Sequence, residues 1–186
     1  MKELSPILKS YLGKMKGTAK CPDAVCFSEI IWSWIGAFLG IGAVAYLNFN
    51  KFGDTDMIMI VGSFGASAVL IYGAVKSPLA QPRNLIGGHI LSALIGVACY
   101  QMLNEHMWVA ASVAVATAIA FMHLTRTLHP PGGATALIAV IGGNEVHRLG
   151  YLYALIPVGA GASIMLLIAL LINNLPKTRS YPEFWI

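Results

Sequence analysis

Residues 126–137, RTLHPPGGATAL, set an arginine, a histidine, two prolines and two glycines between two apolar runs. Pro130 and Pro131 suit the first turn of a helix, where φ is fixed and a missing N–H costs nothing. The first N–H groups of a helix lack intrahelical partners and carry the positive end of its dipole, so an anion can be held there by backbone donors. Gly132 and Gly133 let a ligand or another backbone come close. Arg126, His129 and Thr135 add side-chain donors. SPLAQPRN, at 77–84, offers similar parts: Pro82 opens a helix beside Arg83 and Asn84, with His89 further along. The candidate substrate-binding set is therefore Arg83, Asn84, His89, Arg126, His129, Pro130, Pro131, Gly132, Gly133 and Thr135. The same residues also read as a tight connection between helices, with Arg126 obeying a charge rule. Residue types alone leave both readings open.

The sign of the ligand follows from what the apolar runs contain. The acidic residues are Glu3, Asp23, Glu29, Asp54, Asp56, Glu105, Glu145 and Glu183, and none falls in the interior of a predicted span. A cation site would need carboxylates or converging carbonyls, whereas Arg83, His89, His123, Arg126 and His129 favour a small anion. Ionisable groups at membrane depth are costly and mark a pathway or a partner. His89 and His123 are equally readable as hydrogen-bonded packing residues, and His106 and His147 as loop residues. No nucleophile elbow, HExxH or phosphate-binding loop is present, so no enzymatic activity and no cofactor are expected. The histidines lack acidic or thiolate companions at ligand spacing, so no metal is expected. Cys21, Cys26 and Cys99 read as ordinary reduced thiols.

These residues sit in a chain of 186 residues that is 57% hydrophobic and 11% charged, with a mean hydropathy of +0.71. Soluble domains carry about 25% charged residues, and a chain this short cannot bury so much apolar surface in a water-soluble core. The excess must face a lipid bilayer. The basic residues cluster at the ends of apolar runs, which is no nucleic-acid footprint.

Residues 1–28 form a basic arm in which Leu4, Ile7, Leu8, Tyr11, Leu12 and Met15 recur at helical spacing, as in a helix lying on a membrane surface. A solvated tail is the alternative. Apolar runs follow at 29–48, 57–75, 85–103 and 108–128, with a polar hairpin at 48–56. After the His-Pro-Pro motif comes a shorter run, 130–143, about 21 Å as a helix, then a last long run at 151–172. The transmembrane domain is placed at 29–173 and a tail at 174–186. The expected fold is all-α: a polytopic transmembrane helix bundle of four long spans plus one short or re-entrant helix after the motif, or five spans in total. Five lysines precede the first span, and Lys76, Arg83 and Arg126 fall on the same side if spans alternate. A multi-pass protein of the cell membrane with a cytoplasmic N-terminus is expected. If 130–143 is re-entrant, Lys177 and Arg179 break the charge rule; if it crosses, the tail returns inside. Charge favours crossing and length favours re-entry.

Small residues recur every four positions: Gly36 with Gly40, Gly62 with Ala66, Ser63 with Ser67, Gly88 with Ser92 and Gly96, and Gly159 with Ser163. That spacing lets helix backbones approach closely in lipid, within one subunit or in a homo-oligomer.

SPLAQPRNLIGGHILSALIG and RTLHPPGGATALIAV together resemble the two signature regions of the HPP family of integral membrane proteins, named for the tripeptide found here at 129–131. The likeness covers roughly 28–173. Family descriptions give four membrane spans, and plastid and cyanobacterial members are understood as nitrite transporters. The resemblance implies a small-anion permease with nitrite the leading candidate. The alternative is a non-transporting scaffold or accessory subunit of a membrane complex, in which both turns merely connect helices. A redox or metal-linked membrane enzyme is a third, lesser reading.

Overall fold

In hydrocarbon every backbone N–H and C=O must be paired within the protein, so runs this apolar cross as helices. The computed structural model describes residues 6–16, 19–21, 23–51 and 61–186, and their regular structure is entirely helical. Helix α1 (Pro6–Gly13) and a 3-10 turn at Lys14–Lys16 leave Tyr11, Leu12 and Met15 exposed. The rest of the expected amphipathic pattern includes Leu4, which lies outside the described residues. Helix α2 (Phe27–Lys51) is the first long pass.

The second expected span, 57–75, begins outside the described residues, as does most of the hairpin before it. Its described part is a short helix, α3 (Ser63–Ala68), closed by a π turn at Val69–Gly73. A 3-10 turn at Pro78–Ala80 then leads into α4 (Pro82–Leu103), with Pro82 in its first turn. A tight turn at Asn104–His106 folds α5 (Met107–Leu124) back along α4. The two are antiparallel: Ser92 of α4 donates to Met122 Sδ near the end of α5 at 3.6 Å. Helix α6 (Pro130–Ile141) follows the motif and α7 (Gly143–Leu149) lies beyond it. The last pass opens with a π stretch at Ala154–Gly159, where Ile156 is extended as befits a residue before proline, and continues as α8 (Ala160–Ile172).

Four long passes (α2, α4, α5 and α8 with its π stretch) and a short helix after the motif are thus present, with α3 a second short helix. The ends of these helices sort onto two faces. Arg179, beyond α8, bonds to Glu29 and Ser33 at the start of α2 and to the Tyr72 carbonyl at the end of α3. Arg83, at the start of α4, donates to the Thr125 carbonyl at the end of α5. All these belong to one face. The opposite face holds α7, whose His147 stacks on Tyr100 near the end of α4, with ring centroids 3.6 Å apart. The segment after the motif therefore crosses, and the tail returns to the face on which α2 begins. Neighbours make up for the shortness of α6. It starts well below the first face, level with Gly88 of α4, where a Cβ would meet His129 Cβ at 2.5 Å.

Glycines set how closely the helices pack. A Cβ at Gly36 would meet the Tyr72 ring at 2.6 Å, and one at Gly96 would meet the Ala136 carbonyl at 2.5 Å. Two of the small-residue stripes are thus used inside the subunit. Tyr72 is fully buried by this packing and donates to the Met165 carbonyl at 3.0 Å. Outward, Trp34, Phe38, Phe49, Trp108 and Leu124 are largely exposed, as residues facing acyl chains should be.

Candidate functional site

The ten residues singled out from sequence separate into three groups. Arg83 and Asn84, in the first turn of α4, meet Arg126 and its neighbours at the connection between α5 and α6. Arg126 has φ 57°, the left-handed region. Its N–H reaches the His123 carbonyl at 3.2 Å and the next N–H, of Thr127, reaches Met122 O at 2.9 Å. That pair of bonds is the Schellman ending of a helix, with Arg126 where glycine is usual. Arg83 Nη2 donates to Thr125 O at 2.7 Å, satisfying another carbonyl at the end of α5. Asn84 Nδ2 donates to Leu128 O at 2.8 Å and holds the descending segment against α4. The Arg126 side chain itself is exposed on the face where α5 ends.

Pro130, Pro131, Gly132 and Gly133 form the first turn of α6. The cradle of backbone donors expected there is thin, because two prolines supply no N–H and Gly132 N already donates to His129 O at 2.8 Å. Gly132 is pressed against α4 rather than open to a ligand: a Cβ would lie 2.8 Å from Ser92 Oγ and 2.9 Å from the Gly88 carbonyl. A Cβ at Gly133 would touch only Val115, at 3.8 Å. The close approach that the glycines allow is therefore, at Gly132, an approach between helices.

His89, His129 and Thr135 are the third group, and the fold brings them together. All three are fully buried. His89 lies two turns into α4, His129 caps the start of α6, and Thr135 follows in that helix. Between them stands Ser67 of α3, whose Oγ is 2.7 Å from His89 Nε2 and 2.9 Å from His129 Nε2. His89 Nδ1 is 2.7 Å from Thr135 Oγ1, which in turn lies 2.8 Å from Ser63 Oγ. His129 Nδ1 donates to the Leu79 carbonyl at 2.8 Å. Phe64 packs edge-on against His89, and Tyr153 donates to the Thr135 carbonyl at 3.4 Å. Three helices thus converge on one polar chain: Leu79 carbonyl, His129, Ser67, His89, Thr135, Ser63.

In the sequence Ser63 and Ser67 stand out only as a small-residue stripe. Their signal was the four-residue interval, which puts both hydroxyls on one face of α3. The spacing could not show that this face meets two histidines instead of a smooth helix. The imidazoles are the cluster's only metal-type ligands, and among the described residues no group of three or more His, Cys, Asp or Glu gathers to hold a metal.

A cavity of about 550 Å³ opens on the face that carries the tail, lined by Glu29, Lys76, Ser77, Thr178 and Arg179 among others. Arg179 within it is committed to Glu29, donating from Nε to Oε2 at 2.7 Å. Lys76 is exposed there.

The transmembrane region of the HPP family matches residues 22–182 of this chain. Two transmembrane proteins of Dictyostelium discoideum are 47% identical over 178 residues and 46% identical over 180 residues. Those matches take in 94% and 95% of this chain but 57% and 62% of the relatives. The chain thus spans about three-fifths of the length of the curated relatives it matches. No solved structure matches.

Proposed function

The chain belongs to the HPP family of integral membrane proteins, and from that premise we propose that it is a transporter or channel for a small inorganic anion, nitrite first among the candidates, and not an enzyme. The observation that carries this reading is the composition of the buried polar chain. Two imidazoles and three hydroxyls meet inside a helical membrane protein, and no carboxylate is among them. Such a set can donate to an anion and has no fixed negative charge with which to hold a cation. Lys76, Arg179 and Glu29 line the cavity on one face with a net positive charge, which would concentrate an anion there. By the positive-inside rule that face is assigned to the cytoplasm of the cell membrane.

The test is flux of nitrite, nitrate and formate into liposomes that carry the purified protein. Wild type is expected to pass nitrite above the leak of empty liposomes. Thr135→Val should lower that flux by about tenfold, the size of one lost hydrogen bond to a charged group. Arg126→Gln, on the exposed connection, should leave it nearly unchanged. Absence of flux for all three anions would overturn the reading.

The scaffold alternative draws on a separate observation. Gly88 and Gly132 are closed by helix packing, and among the described residues every buried side-chain nitrogen and oxygen has a partner. On that reading Thr135→Val changes stability alone, and a partner protein accompanies the chain through purification.

A further inference from the structure

The contacts around Ser67 fix where protons lie. A carbonyl only accepts, so the 2.8 Å contact between His129 Nδ1 and Leu79 O places a proton on Nδ1. Nε2 of neutral His129 is then bare, and its 2.9 Å contact with Ser67 Oγ uses the serine proton. Ser67 has no second proton, so its 2.7 Å contact with His89 Nε2 requires an N–H from His89. Neutral His89 is therefore bare at Nδ1 and accepts from Thr135 Oγ1, 2.7 Å away. Ser63 Oγ at 2.8 Å and Pro131 O at 3.2 Å are the alternative acceptors for that single threonine proton.

An added proton fits this chain without breaking a contact. On His89 Nδ1 it turns the donation toward Thr135, and Thr135 turns its own proton to Ser63 or Pro131. The charge can then move on. His89 gives its Nε2 proton to Ser67 Oγ while the Ser67 proton passes to His129 Nε2. One N–H and one O–H bond break, one of each forms, and the positive charge shifts from one ring to the other. The ring centroids are 5.0 Å apart. A second added proton would place two cations at that separation in a medium of low dielectric, which is strongly unfavourable. Leu79 ends the chain on one side, because its carbonyl has no proton to hand on. At the other end the residues next to Ser63, Val61 and Gly62, line a cavity of about 160 Å³ that Tyr153 also lines.

We infer that His89, Ser67 and His129 hold one exchangeable proton, loaded from the Ser63–Thr135 end, and that this proton travels with the anion. The second half rests on the transporter reading; the first does not. The groups that face the pair are Ser67 and Phe64 from α3, Thr135 from α6, and Met122 of α5, which packs where Gly88 meets Gly132. Tyr153, ahead of α8, is the further titratable residue that bonds to the chain among the described residues. No carboxylate, lysine or arginine among the described residues bonds to either ring.

Nitrogen-15 NMR of the histidines in lipid nanodiscs tests the proton site without transport. A variant lacking the exposed His106 and His123 simplifies the spectrum. At alkaline pH, His129 should appear as the Nδ1–H tautomer and His89 as the Nε2–H tautomer. On acidification the two rings should gain one proton together, with exchange-averaged signals. Ser67→Ala should stop the averaging, and Ser67→Thr, which keeps the hydroxyl, should restore it. Identical tautomers, two protons gained, or averaging that survives Ser67→Ala would each overturn the site. The coupling is read in liposomes holding a pH dye: an inward nitrite gradient should acidify the lumen, and Ser67→Ala should abolish acidification. Nitrite flux without acidification would overturn the coupling alone, and no nitrite flux at all would remove the transporter reading while the NMR result stands.

Discussion

Gly132 and Gly133 are neighbours in sequence but meet different surroundings, and substitution by alanine should separate them. A Cβ at Gly132 would press on the Gly88 backbone carbonyl at 2.9 Å, and backbone cannot rotate away as a side chain can. Gly132→Ala should therefore destabilise the protein by about 1–3 kcal/mol, the usual cost of overpacking. At Gly133 the nearest atom stands at 3.8 Å, in ordinary contact. There, exchange of glycine for the better helix former should be neutral or stabilising by up to about 1 kcal/mol. Thermal unfolding in detergent of the two single variants checks both; equal losses would mean that α6 does not seat against α4 as described. No local pattern tells them apart, because both follow Pro-Pro and only the rotation of α6 decides which faces α4. The histidines were more legible: burial of an imidazole in an apolar run demands partners, and His89 and His129 have them. Their partners lie 22 and 62 residues away at Ser67, beyond the reach of any local pattern.

At the scale of elements, the tail after α8 clasps the first helix. Arg179 is buried and makes five bonds: to the Glu29 carboxylate, the Glu29 carbonyl, Ser33, the Tyr72 carbonyl and Asn173. Tyr181 donates to the Ala80 carbonyl at 2.8 Å, and burial pushes its phenol well above its usual range, so this bond does not titrate near neutrality. Arg179→Gln would leave the Glu29 carboxylate without its cation. Its side chain keeps 27% exposure, so the cost should fall at the low end for a broken buried pair, about 3 kcal/mol. Protease sensitivity of the last residues should rise in that variant while the spectra of the helical bundle persist. A tail no more accessible than in wild type would show that the clasp is not what holds it. Several elements could be read from composition: the long passes, the proline start of α4 and the shortness of α6 all follow from hydropathy and proline placement. The clasp could not, since Glu29 and Arg179 are 150 residues apart. Nor could the shortness of α3, whose apolar run reads continuously into a π turn.

For the whole molecule, the decisive matter is which ends share a face. Counting passes from the start of α2, the chain crosses through α2, α3, α4, α5, α6 and α8, an even number, and the Arg179–Glu29 pair joins the two ends. The positive-inside pattern agrees, because Lys76, Arg83, Arg126, Lys177 and Arg179 then all lie on one face. A re-entrant α6 would instead carry the tail to the other face and break the clasp. Single-cysteine variants in a background lacking the native cysteines resolve the matter. Cys26 alone, at the start of α2, and Ser180→Cys in the tail should react with a membrane-impermeant thiol reagent only when the cytoplasmic side is opened. Glu105→Cys, in the exposed turn between α4 and α5, should react from the opposite side. Labelling of Ser180→Cys together with Glu105→Cys would sink the six-pass arrangement. It would also detach the cavity at Lys76 from the tail that lines it, and with it the proposed gathering of an anion on the basic face.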